Sequence, residues 1–456
     1  MTRISGNGKA VTVNPARSSA PLGGAMAFLG VDRCLPLFHG SQGCTAFALV
    51  LMVRHFREAI PLQTTAMGEL NAILGGAENV EEAICNIRDR AAPRLIGICS
   101  TALTETRGED AFGDLKMMRE RHPEWAGMNL VLASTPDYTG GLQDGWAKAV
   151  EAMIAALVPD GPADQSPIQV NILPGSHLTP GDVEELRETV AAFGLDPIVL
   201  PDLSGSLDGH VPVEYVPTTL GGTPVDDIPH MRASAVTLAI GEQMRPAAEL
   251  LERRTGVPFQ VFDRLTGLKP VDTFLTALSG ISGRPVPARF RRQRSQLIDA
   301  MLDGHFYFAG QHIAIAADPD LLLALSGFLA DMGCTIQAAV STTSSPALER
   351  VPTDTVVIGD LDDLEQAADG CDLIVAHSHG RQAAQRTGIP LYRVGFPVFD
   401  RLGVANRVSI GYRGTRDLIF RVGNILIEGH DGHEGPSHGN EERAHDGIVD
   451  APLAAD

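Results

Sequence analysis

Short, continuous apolar runs recur along this chain of 456 residues, and each is released into a glycine or polar loop followed by a helical stretch. Residues 94–99, 129–133, 168–173, 197–200, 311–316, 334–340, 355–359 and 372–376 read this way. Strands that do not alternate polar with apolar positions suit parallel sheets covered by helices on both faces. The fold class they predict is therefore α/β. In such sheets ligands sit beyond the C-terminal ends of the strands, so the loops 100–106, 134–141 and 377–381 become places to look for chemistry.

A chain of this length, 44% hydrophobic, can bury two or three cores, since a single core stops growing at about 250–300 residues. The turn-forming stretch 159–167 and the segment Gly283-Arg284-Pro285 are natural breaks. They divide the chain into an N-terminal α/β domain (1–163), a second (164–286) and a third (287–428). Thr179 followed by Pro180 is a good helix start inside the second. Residues 1–19 read as an extended arm that orders only against a partner. Residues 429–456, with four histidines among acidic residues, Gly and Pro and without apolar periodicity, read as a disordered solubilising tail.

The stretch richest in chemistry is His39-Gly40-Ser41-Gln42-Gly43-Cys44-Thr45. Cys34 to Phe38 form a short apolar lead-in to it, and residues 46–53 read as a buried helix that runs on until Pro61 stops it. Two glycines allow a sharp turn and let the backbone approach a bulky inorganic group without a side chain in the way. Free N–H groups and the positive end of the helix dipole favour a thiolate at Cys44, which we read as a metal-cluster ligand. The plainer reading of a lone cysteine is a small buried hydrophobe. Other features are weaker. Gly75-Gly76 before a helix reads as a turn, the arginines at 289, 291, 292 and 294 as a solvated helix face, and His377 and His379 either as hydrogen-bonded loop residues or as metal ligands.

Thirty-six basic against 56 acidic residues, a net charge of -20, argue against nucleic acid or an anionic membrane as partner. No apolar run approaches the ~18 residues of a membrane span, and no export signal is visible, so the expected location is the cytoplasm. Six cysteines, at 34, 44, 85, 99, 334 and 371, lie far apart without a CxxC pair. They form neither a disulfide framework nor a ferredoxin-type ligand run, and a cluster at Cys44 would need ligands from elsewhere.

Several blocks together carry a family likeness: Asn14-Pro15, Pro21-Leu22-Gly23, His39 to Cys44, Arg54-His55-Phe56, the loop 100–110 and Gly395-Phe396-Pro397-Val398-Phe399-Asp400-Arg401. The chain resembles the β branch of the nitrogenase molybdenum-iron protein family over nearly its whole length. That resemblance implies three Rossmann-like domains, an α2β2 heterotetramer and an iron-sulfur cluster bridging each αβ pair. Catalytic β subunits bring three cysteines to an eight-iron cluster, at positions matched here by Ser19, Cys44 and Ala102. Only Cys44 is a cysteine. What the resemblance then implies is a β-like scaffold subunit on which the iron-molybdenum cofactor is assembled before transfer to the catalytic protein. Cys44 would supply one corner of a [4Fe-4S] cluster shared with an α-like, NifE-type subunit, which would also hold most of the cofactor precursor. The nitrogenase iron protein and a precursor donor are the further partners implied. The alternative is a catalytic redox subunit, of nitrogenase or of dark-operative protochlorophyllide reductase. Cys34, Cys99, Cys85, Cys334 and Cys371 match no ligand position and are expected to be buried structural residues.

Overall fold

The computed structural model describes every residue except Met1, Asn7, Ala10, Glu109, Pro212 and residues 432–456. The strands among the described residues are β1 (Arg3–Gly6), β2 (Cys34–His39), β3 (Gln63–Thr64), β4 (Leu95–Ser100), β5 (Asn129–Ala133), β6 (Ser166–Pro174), β7 (Asp196–Val199), β8 (Ser234–Ile240), β9 (Phe259–Phe262), β10 (His312–Ala317), β11 (Thr335–Ser341), β12 (Thr355–Ile358), β13 (Leu373–Ala376) and β14 (Leu391–Arg393). They form three sheets, in the orders β3-β2-β4-β5, β7-β6-β8-β9 and β1-β12-β11-β10-β13-β14. The strand pairings within them are parallel. Helices connect and cover them, as parallel strands buried on both faces require. The chain is α/β, as the apolar runs predict.

The first and third sheets each keep an apolar cluster of their own, and two larger clusters run between sheets. Leu186 and Phe193 beside the second sheet share one apolar cluster with Phe328 and Leu418 of the third, while Trp146 and Phe28 of the first share another with Met231 and Leu251 of the second. The Trp146 indole N–H donates to the Pro174 carbonyl at 3.0 Å, fastening the first unit to the end of β6.

Glycine sets the closest helix contact. The helices Ala20–Leu29 and Leu142–Leu157 cross so tightly that a Cβ at Gly23 would sit 1.8 Å from the Leu142 carbonyl oxygen, and one at Gly145 would sit 1.7 Å from that of Ala20. The Pro-Leu-Gly block thus has a packing reason.

Three expectations need correction. Residues 3–6 are not a free arm: β1 pairs in register with β12, and Lys9 bridges Asp360, Asp362 and Asp363 at 3.1, 2.8 and 2.8 Å. The N-terminus of the first unit thereby completes the edge of the third sheet. The helix containing residues 46–53, Gln42–Phe56, is not buried all round. Thr45, Ala48, Met52 and Phe56 form its one buried stripe, with Phe47 69% and Val50 52% exposed on the other side. Finally, residues 429–431 close the last helix, Gly411–Asp431, whereas the rest of the expected tail lies outside the described residues.

Candidate metal centre

β2 is the source of the site. Its residues are buried throughout, and its last one, His39, pairs in register with Ser100 at the end of β4. The loop leaving β2 therefore lies beside the loop leaving β4. Thr101 Oγ1 donates to the His39 carbonyl at 2.9 Å, and the Gly40 N–H donates to Thr65 Oγ1 at 3.1 Å. The Gly40 carbonyl in turn accepts from Met67 N–H at 3.0 Å. Gly40 is required here, since a Cβ on it would fall 2.5 Å from Thr101 Oγ1.

Gly43 differs. A Cβ there would meet only Ser41 Oγ at 4.0 Å, so nothing in this chain demands a glycine at that position. The space above it is open, and Gly43 is itself exposed. Ser41 is the extended residue that starts the helix, and Cys44 is the third helical residue, with its thiol exposed and Ser41 Oγ–H directed at its sulfur at 3.5 Å.

The other end of the same helix is fixed. The Val398 N–H donates to His55 Nδ1 at 3.0 Å, the Arg54 guanidinium lies 4.2 Å from the Phe399 ring centroid, and Arg57 donates to the Phe399 carbonyl at 2.9 Å. Two blocks of the family likeness, 54–56 and 395–401, are thus one joint that anchors the cysteine helix to the third unit. The joint leaves the Cys44 end facing solvent.

Ser19 precedes the helix Ala20–Leu29 and is half-buried, and Ala102 opens the short helix Ala102–Arg107 beside the Gly40 turn, also half-buried. Neither supplies a thiolate. Cys34 and Cys99 are buried on β2 and β4, where burial pushes both thiols up, and a Cβ on Gly24 would sit 2.9 Å from Cys99 Sγ. Cys334 and Cys371 are likewise buried, pushed up to about 12 and about 11. Cys85 departs from expectation, being only half-buried on a helix flank. Among the described residues no group of three or more His, Cys, Asp or Glu side chains could hold a metal ion. Of the six cysteines Cys44 is the exposed one, so the described residues offer a cluster a single accessible sulfur at this loop.

His377 and His379 do not form a metal site. His377 Nε2 lies 3.0 Å from the Ala16 carbonyl, and its Nδ1 accepts the His379 N–H at 3.2 Å, which fixes a neutral tautomer. Burial holds its pKa down to about 4, the hydrogen bond to Ala16 opposing this. Between pH 6.5 and 4 the unfolded chain takes up a proton that the folded site refuses, so this residue contributes stability that is lost as the pH falls through that window. Replacing His377 with Gln should make the loss of stability from pH 7 to pH 4 shallower by on the order of 3 kcal/mol. Denaturant midpoints measured at both pH values would test this, and parallel losses in the two proteins would refute it.

The arginine run on the helix Ala288–Phe308 is also structural. Arg294 holds Asp272 at 2.9 Å through two nitrogens, Arg289 donates to the Glu188 carbonyl at 3.1 Å, and Arg291 to that of Val286 at 2.8 Å. The Gly75-Gly76 pair is a turn, with Gly75 at φ 128° against the Arg107 guanidinium.

The profile of the nitrogenase component 1 type oxidoreductase family matches residues 19–427. The nitrogenase iron-molybdenum cofactor biosynthesis protein NifN of Bradyrhizobium diazoefficiens is 55% identical, over 96% of this chain and 94% of that protein. Its counterpart in Mesorhizobium japonicum is 57% identical over 93% of each, and that of Klebsiella pneumoniae 40% identical over 92% of each. Among solved structures, a chain of nitrogenase Cp1 at pH 6.5 superposes with a TM-score of 0.89 at 30% identity, covering 96% of this chain and 97% of that one.

Proposed function

Since the chain belongs to the nitrogenase component 1 type oxidoreductase family, we propose that it is the β-like subunit of the scaffold on which the nitrogenase iron-molybdenum cofactor is assembled. Relatives named for that biosynthesis, at more than half identity across nearly the full chain, carry this reading. The catalytic alternative is not favoured. Serine at 19 and alanine at 102 remove two of the three thiolates that a catalytic β subunit would bring to its eight-iron cluster, so we read the chain as a scaffold without chemistry of its own.

The finer reading rests on the geometry of the Cys44 loop. We infer that Cys44 gives one thiolate to a [4Fe-4S] cluster whose other ligands come from an α-like subunit in an α2β2 heterotetramer. The exposed Phe47 and Val50, one turn and two turns beyond Cys44, support a protein surface covering this end of the helix. The cofactor precursor would be held mainly by the partner, with the nitrogenase iron protein and a precursor donor acting on the assembled complex. We place the assembly in the cytoplasm; no helix among the described residues is long and apolar enough to cross a membrane. We divide the chain into units 1–163, 164–286 and 287–428, one sheet in each, with β1 lent by the first to the third.

When bound, the cluster would supply redox-active iron at the subunit boundary. The residues of this chain hold the turn rigid through Thr65 and Thr101 and aim one sulfur outward. The chain purified alone should therefore carry no stable cluster, whereas the complex with its α-like partner should contain cluster iron. Stoichiometric iron and sulfide in the isolated monomer would overturn the shared-ligand reading, and nitrogenase-like substrate reduction by the complex would overturn the scaffold reading.

A further inference from the structure

An open cleft lies where the three units meet, lined by Phe56 of the first, His177 of the second, and Tyr392, Arg393, Arg407 and Arg421 of the third. Its position against the ends of β6 and β14 is where parallel sheets present ligands.

Its charge is unbalanced. Arg393 is neutralised by Asp400 at 2.8 Å, but neither Arg407 nor Arg421 has a carboxylate within salt-bridge distance among the described residues. Both line the cleft beside Tyr392, whose burial pushes its hydroxyl pKa up while the positive charges of Arg407 and Arg421 act against that rise. Nearby acids are committed elsewhere. Asp182 accepts from Thr179, Ser409 and Ile410, and Glu185 holds Arg413. Burial lowers the pKa of Arg407, and the charges of Arg421 and Arg401 lower it further. In a protein of net charge -20, two half-buried arginines in one cleft without a counter-ion are costly unless something anionic joins them.

One more polar group waits in the same cleft. The imidazole of His177 is wedged between two glycines: a Cβ at Gly175 would sit 2.7 Å from its Nδ1, and one at Gly241 would sit 2.9 Å from its Cε1. That Nδ1 is buried and has no hydrogen-bond partner.

We propose that this cleft binds a small multivalent anion, an oxyanion or a polycarboxylate, held by the guanidiniums of Arg407 and Arg421 that line it beside Tyr392. Guanidinium forks match the paired oxygens of either class. This site is separate from Cys44 and from any cluster there, since the helix Gln42–Phe56 reaches the cleft only with its last turn, at His55 and Phe56.

The experiment uses the full chain at fixed ionic strength, with inorganic phosphate and citrate as separate probes, followed by titration calorimetry and thermal denaturation. Wild type should bind at least one of them and melt higher in its presence. The double variant Arg407→Gln/Arg421→Gln should bind at least about tenfold more weakly, a loss of about 1.4 kcal/mol. Without added anion it should melt no lower than wild type, because it removes a repulsion rather than a tie. Arg407→Lys, which keeps the charge and loses the fork, should fall between them and serves if the double variant does not fold. Arg253→Gln, on an exposed helix face, should bind as wild type does. Binding of phosphate alone assigns an oxyanion site, and of citrate alone a polycarboxylate site. Failure of both probes to bind wild type, equal binding by the double and Lys variants, or equal loss in Arg253→Gln would each overturn the proposal.

Discussion

The Cys44→Ala variant of the assembled complex should lose most of its bridging-cluster iron and the matching reduced-state EPR signal, while Cys34→Ala and Cys99→Ala keep both. The contrast follows from where the three sulfurs lie. Cys44 is exposed in the first turn of a helix, beside Gly43, whose missing side chain this chain itself does not need. Cys34 and Cys99 are wholly buried on neighbouring strands, so their removal should cost about 1–3 kcal/mol of stability and no iron. Thermal melts of the three complexes separate a missing ligand from a damaged fold. Full cluster content in Cys44→Ala, or equal iron loss in all three variants, would sink the ligand assignment.

How much of this was legible in the sequence varied with the kind of signal. Apolar runs such as 95–99 and 373–376 announced buried parallel strands because they are too short for a buried helix and are bounded by loops. Cys34–His39 was harder, since Pro36 within the run weakens a strand reading, yet it is a central strand of the first sheet. Ser234–Ile240 and Phe259–Phe262 escaped notice although Ala-Val-Thr-Leu-Ala-Ile is a strand-like run; the helical stretches around them hid the signal. The docking of β1 could not be read at all. It depends on an edge of β12 more than three hundred residues away and on three aspartates that gather only in the fold.

The candidate site shows the same division. The glycine-bracketed cysteine was visible as a motif, but the two glycines have different causes: Gly40 makes room for Thr101, whereas Gly43 leaves room for something outside the chain. A helix apolar on all sides normally means burial on all sides. Here half of that surface is exposed, and the missing neighbour is a partner subunit in the reading we propose. The histidine pair at 377 and 379 shows the limit of composition, because only the fold reveals that the Ala16 carbonyl and a backbone N–H occupy both nitrogens of His377. The cleft arginines at 407 and 421 gave no signal, since no spacing in sequence says that an arginine will lack its acid.

Gly145→Ala should be among the most damaging single-methyl additions in this protein, and Gly280→Ala should be mildly stabilising. Both glycines lie inside helices, where alanine is intrinsically better by roughly 0.5–1 kcal/mol. Propensity alone therefore predicts a gain at each. At Gly280 the side is open, with nothing within 4 Å of a new Cβ, so the gain should be realised. At Gly145 the new atom would fall 1.7 Å from the Ala20 carbonyl oxygen, a backbone atom that no rotamer change can move. The helices Ala20–Leu29 and Leu142–Leu157 would have to separate, opening a core that holds Phe28, Trp146 and Met153. Overpacking of this kind costs about 1–3 kcal/mol, and a rigid backbone clash belongs at or above the upper end. Gly23→Ala, aimed at the Leu142 carbonyl from the other helix, should behave as Gly145→Ala does. Denaturant midpoints of the three variants measure this directly, with soluble yield as a second readout should Gly145→Ala not fold. A Gly145→Ala protein as stable as wild type would show that the two helices can part without loss, and the packing reason given for the Pro-Leu-Gly block would fail with it.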